Sequence, residues 1–262
     1  MITREQFEII KLESLRAGTP RGHERAILRE YLQCEILSIL SDLSGSEDFA
    51  LIGGTGLRLL YDLDRFSEDL DFDTAHSEPM TIMEKIVATL TQRNYSVSLR
   101  VKNEGREHGG RIIFTDILWS LGLSPHNDES LMIKFEYTSP TPMPPITTRV
   151  LSRFGFVAQV VTEPLPALCA RKAIALILRK RLQPRDIYDL GWFLSRRILP
   201  DGQTLEQFGS LTREALRAEI SRVLNVSASQ MRSYVQDVEL LLTEPKKAEG
   251  ITHVREIAEE AI

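Results

Sequence analysis

Two glycines and two aspartates carry the densest chemical signal in the chain. Gly53-Gly54-Thr55 follows a short apolar run at 49–52 and leads into a helical segment at 56–61. A glycine turn entering a helix presents bare backbone N–H groups at the positive end of the helix dipole, a favourable place for phosphate. Shortly after comes Arg65-Phe66-Ser67-Glu68-Asp69-Leu70-Asp71-Phe72-Asp73, where Leu70 and Phe72 alternate with acids as in a half-buried strand. Residues i and i+2 of a strand point to one side, so Asp69 and Asp71 can reach one divalent ion. Hard carboxylate oxygens suit Mg²⁺, or Mn²⁺ in its place. Gly53, Gly54 and Thr55 would cradle phosphate while the acids hold metal, so that the two grip opposite ends of one metal–triphosphate. Each half alone has a plainer reading, a tight turn in one case and the solvated face of an edge strand in the other. Their combination, without the G-x-x-x-x-G-K-[ST] of a P-loop, favours the nucleotide. Ser67 shares a side with both acids and is placed either to contact phosphate, to accept a modification, or to orient its neighbours by hydrogen bonding.

The elements that must position these residues can be traced from periodicity. Helical spacing marks 4–15, with Phe7, Ile9, Ile10 and Leu12, and then 23–43, whose stripe of Ile27, Leu28, Tyr31, Leu32, Ile36, Ile39 and Leu40 reads as core. Gly18 to Gly22, with Pro20, breaks the two apart. After the acidic strand the pattern gives a helix at 80–93, strands at 95–101, 111–116 and 131–138, a proline-rich loop at 139–145 and a further strand at 154–161. Beyond Pro164 it turns helical, at 166–181, 184–198, 212–224, 228–242 and 251–262. A soft boundary near Glu163 thus separates an α/β (α+β) domain, 1–163, built on a mixed sheet flanked by helices, from a helical domain, 164–262.

Bulk properties narrow the class. The 262 residues suffice for one large domain or two modest ones, and 42% hydrophobic with 26% charged residues is an ordinary globular composition. A net charge of -5 argues against a surface uniformly coated for nucleic acid, while leaving room for a local basic patch. Cys34 and Cys169 have no C-x-x-C or histidine cluster around them and read as reduced core residues, which excludes a disulfide framework or a structural zinc site. Charges interrupt the apolar residues of the N-terminus, so no signal peptide is expected. The longest uncharged apolar stretch falls well short of a membrane span. A cytoplasmic protein without a membrane partner is the expectation.

The stretch GGTGLRLLYDLDRFSEDLDFD resembles the first motif of the AbiEii/AbiGii toxin family, with Gly-Gly-Thr/Ser, Arg-Phe-Ser and Asp-x-Asp in this order. Gly56 departs from the alanine more usual after the threonine. A second stretch, ARKAIALILRKRLQPRDIYDL, is similar to the family's Lys-x-x-Ala-x-x-x-Arg helix followed by Arg-Asp-x-x-Asp-Leu, which here are Lys172, Ala175, Arg179, Arg185, Asp186 and Asp189. The resemblance implies a DNA polymerase β-like nucleotidyltransferase domain, the toxin of a type IV toxin–antitoxin or phage-defence system, and a separately encoded antitoxin. It implies Asp69, Asp71, Lys172 and Asp186 as catalytic, with Arg65, Ser67 and Arg185 joining the glycine turn on the nucleotide. Lys172 and Arg179, seven apart, would share a helical face and neutralise triphosphate charge. Asp186 also has a simpler reading as an acid in the first turn of a helix opened by Pro184.

Nucleotidyltransferases of this class add a third carboxylate from a neighbouring strand. Glu136, in Lys134-Phe135-Glu136, is the candidate; a cross-strand ion pair with Lys134 on the same face is the alternative. The reaction implied is transfer of NMP from NTP to an acceptor, tRNA first, for which the basic run at 171–185 gives an electrostatic rationale. The rivals are a protein or small-molecule acceptor, and a nucleotide-binding regulator without catalysis.

Overall fold

The computed structural model describes residues 1–104 and 107–262 and divides the chain into two compact units. The first comprises Met1–Asp62 and Phe66–Thr162; the second comprises Leu63–Arg65 and Glu163–Ile262. Three residues in the middle of the sequence therefore belong to the second unit.

The first unit is a seven-stranded mixed sheet with helices. Its helices are α1 (Arg4–Arg16), α2 (Glu24–Ser41), α3 (Gly53–Tyr61), α4 (Pro79–Gln92) and the single turn α5 (Ile117–Ser120). Its strands are β1 (Phe49–Ile52), β2 (Leu70–Thr74), β3 (Val97–Glu104), β4 (Glu107–Phe114), β5 (Leu131–Thr138), β6 (Thr147–Arg153) and β7 (Phe156–Thr162). They lie in the order β3-β4-β5-β2-β1-β7-β6, with β2/β5 and β1/β7 parallel and the other pairs antiparallel. β6 falls between the expected loop at 139–145 and the expected strand at 154–161 and was assigned to no element from sequence. Its alternation is weak because Thr148, Arg149 and Val150 all face solvent on what is an edge strand, leaving Leu151 as its one fully buried side chain.

Helix α2 departs from a one-sided stripe. Besides Ile27, Leu28, Leu32, Ile36, Ile39 and Leu40, it buries Glu30, Gln33 and Glu35. Each finds a polar partner: Glu30 pairs with Arg58 at 2.9 Å, Glu35 with Tyr95 and Arg93, and Gln33 donates to the Ser67 carbonyl. A buried charge survives only when paired and hydrogen-bonded, and these contacts meet that condition. Helix α1 is the reverse case. It is fixed by a Thr3/Gln6 capping box, yet of its expected apolar face only Phe7 is buried, with Ile9 58% exposed.

The second unit is helical, with α6 (Leu165–Leu178), α7 (Pro184–Ser195), α8 (Gly202–Gly209), α9 (Arg213–Val223), α10 (Ala228–Glu239), a 3₁₀ segment (Pro245–His253) and α11 (Val254–Ala261). α8 was not legible from periodicity, since its eight residues bury only Thr204 and Leu205. No described helix is long and apolar enough to cross a membrane.

Candidate functional site

β2 is an interior strand held between β1 and β5, which removes the reading of its acids as a solvated edge. In its parallel register with β5, Leu70 lies beside Phe135, Asp71 beside Glu136 and Asp73 beside Thr138. Pleating sends Leu70 and Phe72 to the core, where the Phe72 and Phe135 rings stack at 4.5 Å, and sends the acids to the opposite face. The acids are not equivalent. Asp73 is fully buried and accepts from the Thr138 hydroxyl at 2.5 Å, while Asp69 and Asp71 remain partly accessible. The Asp69 carboxylate lies 3.7 Å from the Lys134 ammonium, so the cation expected beside Glu136 reaches Asp69.

Gly53 opens α3 itself, three residues earlier than the expected start, with φ +71. A Cβ built on it would lie 2.4 Å from Asp71 Oδ2. Glycine is thus required twice over, for a left-handed backbone and for the close approach of the Asp71 carboxylate. Thr55 is buried and donates its hydroxyl to the Asp69 carbonyl, so its side chain fixes the chain at the first acid. A Cβ at Gly56 would come 3.1 Å from the Leu51 carbonyl, which gives the departure to glycine there a packing rationale. Ser67 is half-buried. On the far side of β5, Glu136 has Gly109 as its cross-strand neighbour, where a Cβ would lie 2.1 Å from the Phe135 carbonyl. The flank of Glu136 therefore carries no side chain from that position.

Asp69 and Asp71 supply the hard oxygen donors a divalent ion needs, and the head of α3 lies directly against one of them. Glu136 is next to Asp71 in register. Among the described residues, no three His, Cys, Asp or Glu side chains converge as a ready-made metal cluster. The residues fit an ion held by two carboxylates and completed by substrate.

In the second unit, Arg65 is almost wholly buried and forks onto Asp189, with Nε 2.6 Å from Oδ1 and Nη2 2.7 Å from Oδ2. Lys172 Nζ lies 2.8 Å from the same carboxylate and 3.9 Å from Asp186. Burial alone would raise the Asp189 carboxyl, but the charges of Arg65 and Lys172 and their hydrogen bonds outweigh it, holding Asp189 well below the usual carboxylate range. Arg179 does not continue the helical face of Lys172, because α6 ends at Leu178 and Arg179 is extended. It nonetheless reaches Asp186 at 2.7 Å. Asp186 is fully buried in the first turn of α7, and neither of its oxygens accepts an aligned hydrogen bond among the described residues. Arg185, one residue earlier, is half-buried. Sequence reasoning missed Asp64, which accepts from the Tyr188 hydroxyl at 2.6 Å and from Lys247 at 2.7 Å. Those partners lie 124 and 183 positions away, beyond any local signal.

The glycine-headed helix set against Asp-x-Asp and the Lys-x-x-Ala helix paired with Arg-Asp-x-x-Asp are both present as folded units. Residues 35–250 match the family model described as nucleotidyl transferase AbiEii toxin, type IV TA system. The chain belongs to this AbiEii family. It is accordingly a nucleotidyltransferase-type toxin chain, and the family implies a cognate antitoxin. No curated protein sequence matches it. Among solved structures it resembles MenT4, a nucleotidyltransferase toxin from Mycobacterium tuberculosis, at 18% identity and a TM-score of 0.61, covering 98% of this chain and 89% of that one. It also resembles JHP933 from Helicobacter pylori, at 16% identity and a TM-score of 0.54, covering 90% and 93%. At such identities the likeness concerns the fold, which for this AbiEii chain is the mixed α/β nucleotidyltransferase fold.

Proposed function

We propose that this AbiEii chain transfers NMP from an NTP to an acceptor hydroxyl, with tRNA as the first acceptor to test, in a reaction dependent on Mg²⁺ or Mn²⁺. The observation that carries the reading is the contact of the Asp71 carboxylate with Gly53 at the head of α3, which joins a metal ligand to a phosphate-binding helix start. Asp69 and Asp71 hold the ion and the substrate completes its coordination, with Glu136, next to Asp71 in register, as the candidate for a further carboxylate. Bound there, the ion would screen the triphosphate charge and orient the α-phosphate for in-line attack. Gly53 and Gly54 offer backbone N–H groups to phosphate, and Thr55 acts through the Asp69 carbonyl. Ser67, two residues before Asp69, adds a nucleotide contact on the first unit, and Arg185, beside Asp186, is a nucleotide contact of the second.

Lys172 and Asp186 are the catalytic pair of the second unit. Lys172 meets negative charge as it develops, and Asp186, paired with Arg179 at 2.7 Å, lies 3.9 Å from the Lys172 ammonium and helps position it. Arg65 reads as a clamp for Asp189 in preference to a nucleotide ligand, because its whole guanidinium fork is spent on that carboxylate.

Purified protein incubated with Mg²⁺, each α-phosphate-radiolabelled NTP in turn and total tRNA tests the reading, beside an Asp69→Ala/Asp71→Ala control. Label on tRNA only with intact carboxylates supports it. Label on protein in a lysate moves the acceptor, and NTP binding with no pyrophosphate released to any acceptor overturns the transferase reading.

A further inference from the structure

The second unit holds a cavity that the nucleotide chemistry does not use. One face of α7, formed by Tyr188, Gly191, Trp192 and Ser195 at i, i+3, i+4 and i+7 spacing, lines one side of it. Ile251, Val254 and Ile257 line the other, where the 3₁₀ segment runs into α11. The two sides approach closely, since a Cβ on Gly191 would lie 2.7 Å from Val254 Cγ2. The cavity opens to solvent and has a volume of about 240 Å³. That is below the range of drug-sized pockets and suits a molecule of roughly ten to fifteen non-hydrogen atoms.

Lys247 is shared between Asp64 at 2.7 Å and Glu244 at 2.8 Å, and Asp64 is further satisfied by the Tyr188 hydroxyl. Arg196 has no carboxylate against it among the described residues; its guanidinium lies 4.3 Å from the centre of the Trp192 ring and donates to the Trp192 carbonyl. The Trp192 indole N–H is itself buried without an acceptor among the described residues. An exposed cation without a carboxylate among the described residues and an aliphatic wall border one small space. Small-molecule sites are built this way, as apolar cavities with a few convergent polar groups that fix orientation.

We infer that this cavity binds a small organic anion, an apolar ring or branched chain carrying a single carboxylate or phosphate, with the anionic head on Arg196 and the apolar body against Ile251, Val254 and Ile257. The proposal is independent of the nucleotide reading, because its ligand, residues and readout are separate. An aromatic body would lie along the Trp192 indole, where Arg196 already caps one aromatic surface.

Trp119 and Trp192 are the only two tryptophans, so Trp119→Phe leaves a single fluorophore in the cavity wall. That variant of the full chain is titrated with phenylacetate, phenyl phosphate and the neutral phenylacetamide. At least one anion should quench Trp192 saturably and raise the melting temperature, binding about tenfold or more tighter than the amide, as expected for a hydrogen bond to a charged group. Arg196→Gln should erase that preference, and Ser195→Phe, which plugs the mouth at an exposed position, should abolish the quench while retaining a native melting transition. Preference for the carboxylate or the phosphate assigns the head group. Absence of saturable quenching by either anion up to about 10 mM, the weak limit of specific binding, overturns the proposal. Equal affinity for the amide, or quenching that survives Ser195→Phe in a folded protein, overturns it as well.

Discussion

Replacing Gly53 by alanine perturbs one hydrogen-sized space with two consequences that can be separated. The backbone penalty comes from φ +71, a left-handed conformation that costs a residue with a Cβ about 1–2 kcal/mol. The steric consequence falls on Asp71. The new Cβ would lie 2.4 Å from Oδ2 and 3.3 Å from both Cβ and Cγ of the aspartate, whereas ordinary contact begins at 3.4 Å. The carboxylate oxygen must therefore move by about 1 Å, and Asp71 has a short side chain on an interior strand with little room to swing. A displacement of ~1 Å in a catalytic constellation is worth about a hundredfold in rate. Gly53→Ala should lower the melting temperature by a few degrees, about 2–4 °C per kcal/mol for a chain of this size. It should also reduce the metal-dependent transfer rate about a hundredfold at saturating NTP. Differential scanning fluorimetry paired with initial rates of label transfer reads both. A variant that keeps its full rate would refute the assignment of Asp71 to the reacting centre. One whose activity declines only in proportion to the unfolded fraction would show glycine serving the backbone alone.

On the proposed metal role, Asp69→Asn and Asp71→Asn should each lower transfer by two or more orders of magnitude in protein that still folds; rates across a Mg²⁺ titration decide it. Thr55→Val removes the donor to the buried Asp69 carbonyl at nearly constant shape, at a cost of about 1–3 kcal/mol in urea denaturation, and should depress kcat more than KM. Arg65→Leu leaves Asp189 with half its compensation and should destabilise the protein by about 3–5 kcal/mol, whereas Arg65→Lys, keeping charge without the fork, should lie between. The folded pKa of Asp189 is depressed, so its contribution to stability is complete above the unfolded carboxylate pKa and is lost as pH falls below about 4. Wild-type stability should therefore decline with acid more steeply than that of Asp189→Asn, and parallel pH slopes would contradict this account.

Legibility in the sequence followed locality. The glycine head of α3 and the alternation of β2 were readable because each is written within a few residues, and the α/β class with a mixed sheet follows from where strands and helices alternate. The centrality of β2 was not readable. An Asp-x-Asp-x-Asp strand looks like an edge strand until β1 and β5 are seen to close on both sides. Asp73 looked like its two neighbours because only the parallel register with β5 places Thr138 against it. The partners of the polar residues of α2 were not readable either, since Glu30 and Glu35 give no local sign that Arg58, Arg93 and Tyr95 will meet them. β6 and α8 were missed for the complementary reason: elements that bury one or two side chains leave almost no periodicity to detect.

The residues 63–65 show how a motif can mislead about a role while marking the right place. Arg65-Phe66-Ser67 runs straight into Asp69, and sequence proximity makes a basic residue there look like a phosphate ligand. Folding divides the motif instead. Leu63–Arg65 belongs to the helical unit, where Arg65 is bidentate on Asp189 and bridges to Leu242, and where Asp64 meets Tyr188, Lys247 and the Thr243 backbone. A buried guanidinium whose Nε and Nη2 fork is committed to one carboxylate cannot turn to a triphosphate without stranding a buried negative charge. What Arg65 can do is hold Asp189 ionised, and Asp189 in turn holds Lys172 at 2.8 Å. Four positions along the chain from that clamp stands Asp69, so one short motif contributes residues to both units. An arginine is suited to this position because no other side chain is charged at every working pH and matches a carboxylate fork with two parallel donors.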